Sequence, residues 1–181
     1  MPELAVLTPV RKGEAGGLRK LLRGLPRGAD SEGPSASALC SPFAGLSVTH
    51  FARLVVIDTG SPQLLFSTRF DGEERAYLSK FAASVSAREI YKRCKRPQRP
   101  DPDQLDEQRL FDYLLNFRDD RLQPSYVVSA FPDDATVARI NAALELRATL
   151  SNFAVREQDS PAVVLAHRFR QERLIRELAD A

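Results

Sequence analysis

The chemistry of this sequence starts from His50, one of its two histidines. If the segments holding His50 and Asp71 are neighbouring strands, the carboxylate lies beside the imidazole. A carboxylate so placed fixes the ring's tautomer and raises its basicity, which suits a general base or a metal or haem ligand. The competing reading is a plain structural hydrogen bond joining the ends of two strands. Arg69 and Ser67 fall near this pair. The guanidinium there would hold an anionic group of a ligand, or form an ion pair across a dimer interface. Arg53 sits among Phe51, Val55 and Phe66 on the side expected to face helices. Burial there demands an acidic or carbonyl partner. That makes Arg53 either a structural staple or an anchor for a ligand carboxylate. Asp71-Gly72 also reads as a strand-to-helix turn, with Gly72 at positive φ and Asp71 capping the helix entered through Glu73 and Glu74. That role competes with a catalytic one.

Elsewhere the signals are weaker. Arg88, Lys92, Arg93, Lys95, Arg96 and Arg99 form a basic run with Tyr91 beside it. The run would bind phosphate or an acidic partner, or be a solvated face neutralised by the acidic stretch from Asp101 to Glu107. Cys94 lies within it, with no resolving cysteine or catalytic histidine to place nearby. His167 belongs to a charged tail helix and is expected to be exposed. Glycine-rich phosphate loops, HExxH-type metal sites and recognisable catalytic carboxylate pairs are absent from the sequence.

Composition narrows the classes. The 181 residues suit one domain, and a 43% hydrophobic fraction can fill a core. Lys and Arg number 26 against 24 acidic residues, leaving a net charge of +2, which argues against general nucleic-acid binding. No apolar run reaches the roughly 20 residues that span a bilayer, and Met1-Pro2-Glu3 does not open a signal peptide. Cys40 and Cys94 match no metal spacing and build no disulfide framework. The expectation is a soluble cytoplasmic domain.

The elements that must position these residues follow from periodicity and punctuation. Leu4–Val10, Val48–Asp58, Gln63–Asp71 and Tyr126–Phe131 read as strands. Helical stripes run through Leu18, Leu21, Leu22 and Leu25; through Tyr77, Leu78, Phe81, Ala82 and Val85; and through Leu110, Tyr113, Leu114 and Phe117. A short helical segment covers Ala87–Cys94. Asp133 or Asp134 caps a long helix that buries Val137, Ile140, Leu144 and Ala148. Val163–Leu178 is a final charged helix. The core order is β-α-β-β-α-β, an α+β, ferredoxin-like antiparallel sheet with helices on one face. The domain spans 1–155, with a flexible loop at 27–45, and a charged helical extension occupies 156–181.

Thr59-Gly60-Ser61-Pro62 reads as a four-residue hairpin loop, so that Asp58 pairs with Gln63. In that register Ile57, Val55, Arg53 and Phe51 face Leu64, Phe66, Thr68 and Phe70 on the helix side. The other face pairs Val56 with Leu65, Leu54 with Ser67, Ala52 with Arg69 and His50 with Asp71. A slip of one residue would exchange the faces of one strand. Leu54, Val56 and Leu65 would leave an apolar second face, which a second subunit or the final helix must cover.

Several stretches resemble a set of uncharacterised bacterial proteins. They are Thr49-His50-Phe51-Ala52-Arg53, Leu64-Leu65-Phe66, Phe70-Asp71-Gly72 and Tyr77-Leu78, with Thr136-Val137-Ala138-Arg139-Ile140 and Leu146-Arg147 further on. The resemblance covers roughly Leu4 to Phe153. More broadly, the element order resembles the dimeric α+β-barrel superfamily, in which two ferredoxin-like sheets face each other around a cavity. That superfamily includes cofactor-free monooxygenases and haem-dependent peroxidase and chlorite-degrading enzymes. With the apolar second face, the expectation is a homodimeric small-molecule-binding protein or oxidative enzyme that takes a small apolar or anionic ligand, with no cofactor expected and haem on His50 as a minor option. His50, Asp71 and Arg69 would be catalytic, and Arg53 and Ser67 would bind ligand. The alternative is a non-catalytic homodimerisation or adaptor module.

Overall fold

A computed structural model describes residues 2–26, 39–95, 105–118, 122 and 135–172. It divides the chain into two compact units, 1–134 and 135–181. The strand expected over Tyr126–Phe131, most of the loop at 27–45 and the basic residues Arg96 and Arg99 lie outside the described residues.

The first unit is α+β. Its order is β1 (Glu3–Pro9), α1 (Ala15–Gly24), β2 (Thr49–Thr59), β3 (Ser61–Phe70), α2 (Glu74–Ala83), α3 (Val85–Tyr91) and α4 (Glu107–Asn116). Among the described residues the sheet has three strands in the order β1-β3-β2, and both pairings are antiparallel. β1 and β2 are therefore parallel to each other, joined by α1, with β3 inserted between them. This is a split β-α-β unit closed by a hairpin.

The inner face carries the core. Leu64, Phe66, Thr68 and Phe70 alternate along β3, and Leu4, Val6 and Thr8 stand opposite them on β1. Helices α1 to α4 add Leu18, Tyr77, Leu78, Phe81, Ile90, Tyr91, Leu110 and Leu114 to the same cluster. Each fully buried aliphatic or aromatic of this size stabilises the fold by roughly 1.5–3 kcal/mol. The rings are ordered as well as buried: Phe66 stacks on Phe81 at 4.7 Å, and Phe70 on Tyr77 at 4.0 Å.

The hairpin register corrects the sequence reading by one residue. Asp58 pairs with Pro62, Val56 with Leu64, Leu54 with Phe66, Arg53 with Ser67 and Phe51 with Arg69. The strands run up to Thr59 and Ser61, leaving Gly60 alone at the tip with φ +87°. Only glycine takes that conformation cheaply, so the turn is tighter than the expected four-residue loop. Pro62 suggested a loop residue, but near the start of a strand its missing N–H is tolerated. The slip turns β2 over: Leu54 and Val56 pack against the core, while Phe51, Arg53, Val55 and Ile57 share the outer face with Leu65, Ser67 and Arg69.

The second unit is a helical hairpin, α5 (Val137–Arg156) and α6 (Ala162–Gln171). Thr136 caps α5, its Oγ1 accepting from the Arg139 amide at 3.2 Å. The cap thus falls after Asp133 and Asp134, which lie outside the described residues. The expected buried stripe is also corrected, since Leu144 is 56% exposed. Among the described residues of this unit the buried positions are Phe153, in the last turn of α5, and Glu157, its C-cap. Phe153 meets Phe169 edge-on at 5.5 Å, and Glu157 accepts from Ser160, Arg156 and Arg168. Those contacts close the hairpin. None of the described helices is long and apolar enough to cross a membrane.

Candidate functional site

β2 carries an irregularity at its start. Thr49 pairs with Phe70 and Phe51 with Arg69, so His50 is an extra residue bulged out of the ladder. Bulges re-aim a side chain, often beside a functional site. Here the bulge brings His50 Nε2 to 2.8 Å from Asp71 Oδ1. The two side chains are largely shielded, at 12% and 18% exposure. Asp71 is fixed through its own amide, which donates to the Val48 carbonyl at 2.9 Å. Gly72 follows at φ +90°, turning the chain into α2. The N-cap of α2 falls on Glu73, which makes no side-chain cap. The expected helix-capping role of Asp71 thus gives way to its contact with the imidazole.

The other expected site residues lie on the outer face of the sheet. Arg53 is corrected most: it is exposed there, with its guanidinium 5.1 Å from the Phe51 ring centroid in a cation–π contact. The one-residue slip moves it away from the helices and directly opposite Ser67. Arg69, opposite Phe51, is then its diagonal neighbour on the same face. The Arg69 Nε lies 3.7 Å from a Glu3 carboxylate oxygen and is buried without a hydrogen bond. Two guanidiniums, a hydroxyl and an aromatic ring therefore share one end of the outer face, with the bulged His50 next to Phe51 in the chain.

Three residues missed as site components stand behind the pair. The Tyr77 hydroxyl lies 3.1 Å from Thr49 Oγ1 and 2.9 Å from Thr68 Oγ1, and Thr68 donates to the Phe51 carbonyl at 3.0 Å. Burial pushes the Tyr77 phenol above its ordinary pKa, against the pull of its hydrogen bonds with Thr49 and Thr68. The available signal was Thr68, a hydroxyl placed among core-facing positions of a strand. Such a group must find a partner.

Of the basic run, Arg88, Lys92 and Arg93 make structural contacts. The Arg88 guanidinium donates to the carbonyls of Ala82 and Ala83 at 3.2 and 2.7 Å, near the end of α2. Lys92 pairs with Glu89 and Arg93 with Glu14. Tyr91, expected beside this surface, is in the core. Cys94 is buried too, and its Sγ lies 3.6 Å from the Thr8 hydroxyl.

Haem does not fit the His50 arrangement, because Nε2, the less hindered ring nitrogen, is engaged by Asp71. No cluster of three or more His, Cys, Asp or Glu side chains among the described residues is placed to hold a metal ion. The arrangement can move a proton at His50 and neutralise negative charge at Arg53 and Arg69. Comparison with known protein families, with curated proteins and with solved structures found no match.

Proposed function

We propose that this chain is a small-molecule-binding protein or oxidative enzyme, built on a ferredoxin-like sheet and working as a homodimer of the α+β-barrel kind. The observation that carries the reading is the shielded 2.8 Å contact between His50 and Asp71, at the end of the sheet where Arg69 pairs with Phe51. His50 takes a proton from an acidic O–H or C–H group of the ligand. Asp71 holds the imidazole's orientation and stabilises its charged form. Arg69, with Arg53 and Ser67 next to it, receives the anion so formed.

The ferredoxin-like reading is supported by the antiparallel β1-β3-β2 order, with α1 joining its two parallel outer strands. Self-association is supported by the outer face, where Phe51 is 48% and Val55 38% exposed. That apolar surface also favours the second reading, a non-catalytic dimerisation module. Benzoate, a ring bearing a carboxylate, separates the two readings. Saturable binding read at the His50 resonance, weakened at least about tenfold in Arg69→Ala, supports a ligand site; a tenfold loss is about 1.4 kcal/mol. No saturation leaves the dimerisation module. Light scattering at micromolar concentration should give twice the mass of one chain, and Val55→Lys should halve it. A single-chain mass for the unmodified protein contradicts the homodimer.

A further inference from the structure

The residues that flank the bulge are tied to each other by a chain of hydroxyls whose proton order is fixed. Thr68 has one hydroxyl proton and gives it to the Phe51 carbonyl at 3.0 Å. At its 2.9 Å contact with Tyr77 it must therefore accept, so the phenol donates. With that proton committed, the 3.1 Å contact between Tyr77 and Thr49 requires the Thr49 hydroxyl to donate. The relay runs Thr49 to Tyr77 to Thr68 to the Phe51 carbonyl. It begins on one neighbour of His50 and ends on the other. Its members polarise one another in the same direction, which strengthens each link.

The rest of the fold keeps this relay in place. Tyr77 and Thr68 are both 2% exposed, so water does not compete for their hydrogen bonds. The Tyr77 ring lies flat on Phe70, the partner of Thr49 in the ladder, at 4.0 Å and 7°. α2 thus reaches the bulge through the Tyr77 side chain, which meets Thr49 directly and Phe51 by way of Thr68. A bulged residue has lost its ladder partner and is free to swing unless its neighbours are held.

We propose that Tyr77 is a positioning residue for His50, its hydroxyl relay through Thr49 and Thr68 locking the bulge so that the imidazole stays on Asp71. The functional meaning rests on the reading of His50 and Asp71 as the working pair; the positioning itself does not.

Tyr77→Phe is the direct test, because it keeps the ring stack and removes only the hydroxyl. In the full-length protein, the ring resonances of His50 should move by more than a linewidth or split into several conformers, shifting toward their positions in Asp71→Asn. Thr49→Val, which removes the first donor, should move them the same way and serves in place of Tyr77→Phe if that variant does not fold. Gln63→Ala, at the opposite end of β3, should leave them in place. His50 resonances unchanged in folded Tyr77→Phe and Thr49→Val overturn the proposal. Benzoate binding in His50→Ala is read separately. If Tyr77→Phe moves the imidazole while His50→Ala binds benzoate as the unmodified protein does, positioning stands and the ligand-site reading falls. If His50→Ala loses benzoate while the imidazole ignores Tyr77→Phe, the reverse holds.

Discussion

Arg53 stands opposite Ser67 on the outer face of the sheet, its guanidinium over the Phe51 ring at 5.1 Å. A buried guanidinium on the helix side would need a dedicated partner, and cutting it away would strand that partner in the core. An exposed one on an aromatic face contributes little to folding, since cation–π contacts at open sites are worth about 0.5–1 kcal/mol. Arg53→Ala should therefore change the unfolding free energy by no more than about 1 kcal/mol in urea titration. A loss of roughly 3–5 kcal/mol, the cost of breaking a buried pair, would restore the helix-facing register.

This position also shows what the sequence carries and what it withholds. The alternation Leu64, Phe66, Thr68, Phe70 names the inner face of β3 without ambiguity. β2 does not, because Phe51, Val55 and Ile57 are as apolar as Leu54 and Val56, so both registers bury a plausible set. Turn geometry decided between them, and a single glycine at the tip, followed by a proline inside the strand, hides that geometry. His50 and Asp71 are brought together for a reason the straight ladder did not contain. The one-residue shift of the hairpin takes them out of opposite ladder positions, and the side chain of the bulged His50 makes the contact instead. Tyr77 was legible as part of a core stripe, but its hydroxyl's partners lie on two strands, beyond what helical spacing can show. The second unit was the least legible. Val137, Ile140, Leu144 and Ala148 make an amphipathic pattern, yet the buried anchors are Phe153 and Glu157, one of them charged.

Tyr91 carries the clearest stability anomaly. Its ring is 1% exposed among Phe81 and Tyr113, and its hydroxyl has no hydrogen-bond partner among the described residues. Burial pushes the phenol well above its ordinary pKa, with Cys94 and Tyr113 adding to the shift. An unsatisfied buried hydroxyl costs about 1–3 kcal/mol. Tyr91→Phe should therefore be neutral or raise the unfolding free energy by up to about that amount. A clear destabilisation would mean that the hydroxyl is satisfied.

Glu157 links the helical hairpin to pH. Hydrogen bonds from Ser160 and Arg168, with a further one from Arg156, hold its carboxyl down at about 2, below the usual carboxylate range. A carboxylate depressed in the folded state stabilises it fully above the unfolded pKa, and that contribution is lost as pH falls through the folded value. Glu157→Gln should therefore weaken amide protection in α5 and α6 relative to the unmodified protein near pH 6. The gap should narrow between about pH 4.5 and 2 and close below that. A gap that is constant with pH would detach Glu157 from the hairpin's stability.

The contact between His50 and Asp71 is tested most directly by nitrogen-15 NMR of the imidazole. With two histidines in the chain, His50→Ala assigns the signals without ambiguity. In the unmodified protein His50 should show one dominant tautomer protonated at Nε2, and Asp71→Asn should shift the Nε2 resonance and redistribute the tautomers. An Nε2 resonance that is the same in both proteins would contradict the pair, and the proposed site with it.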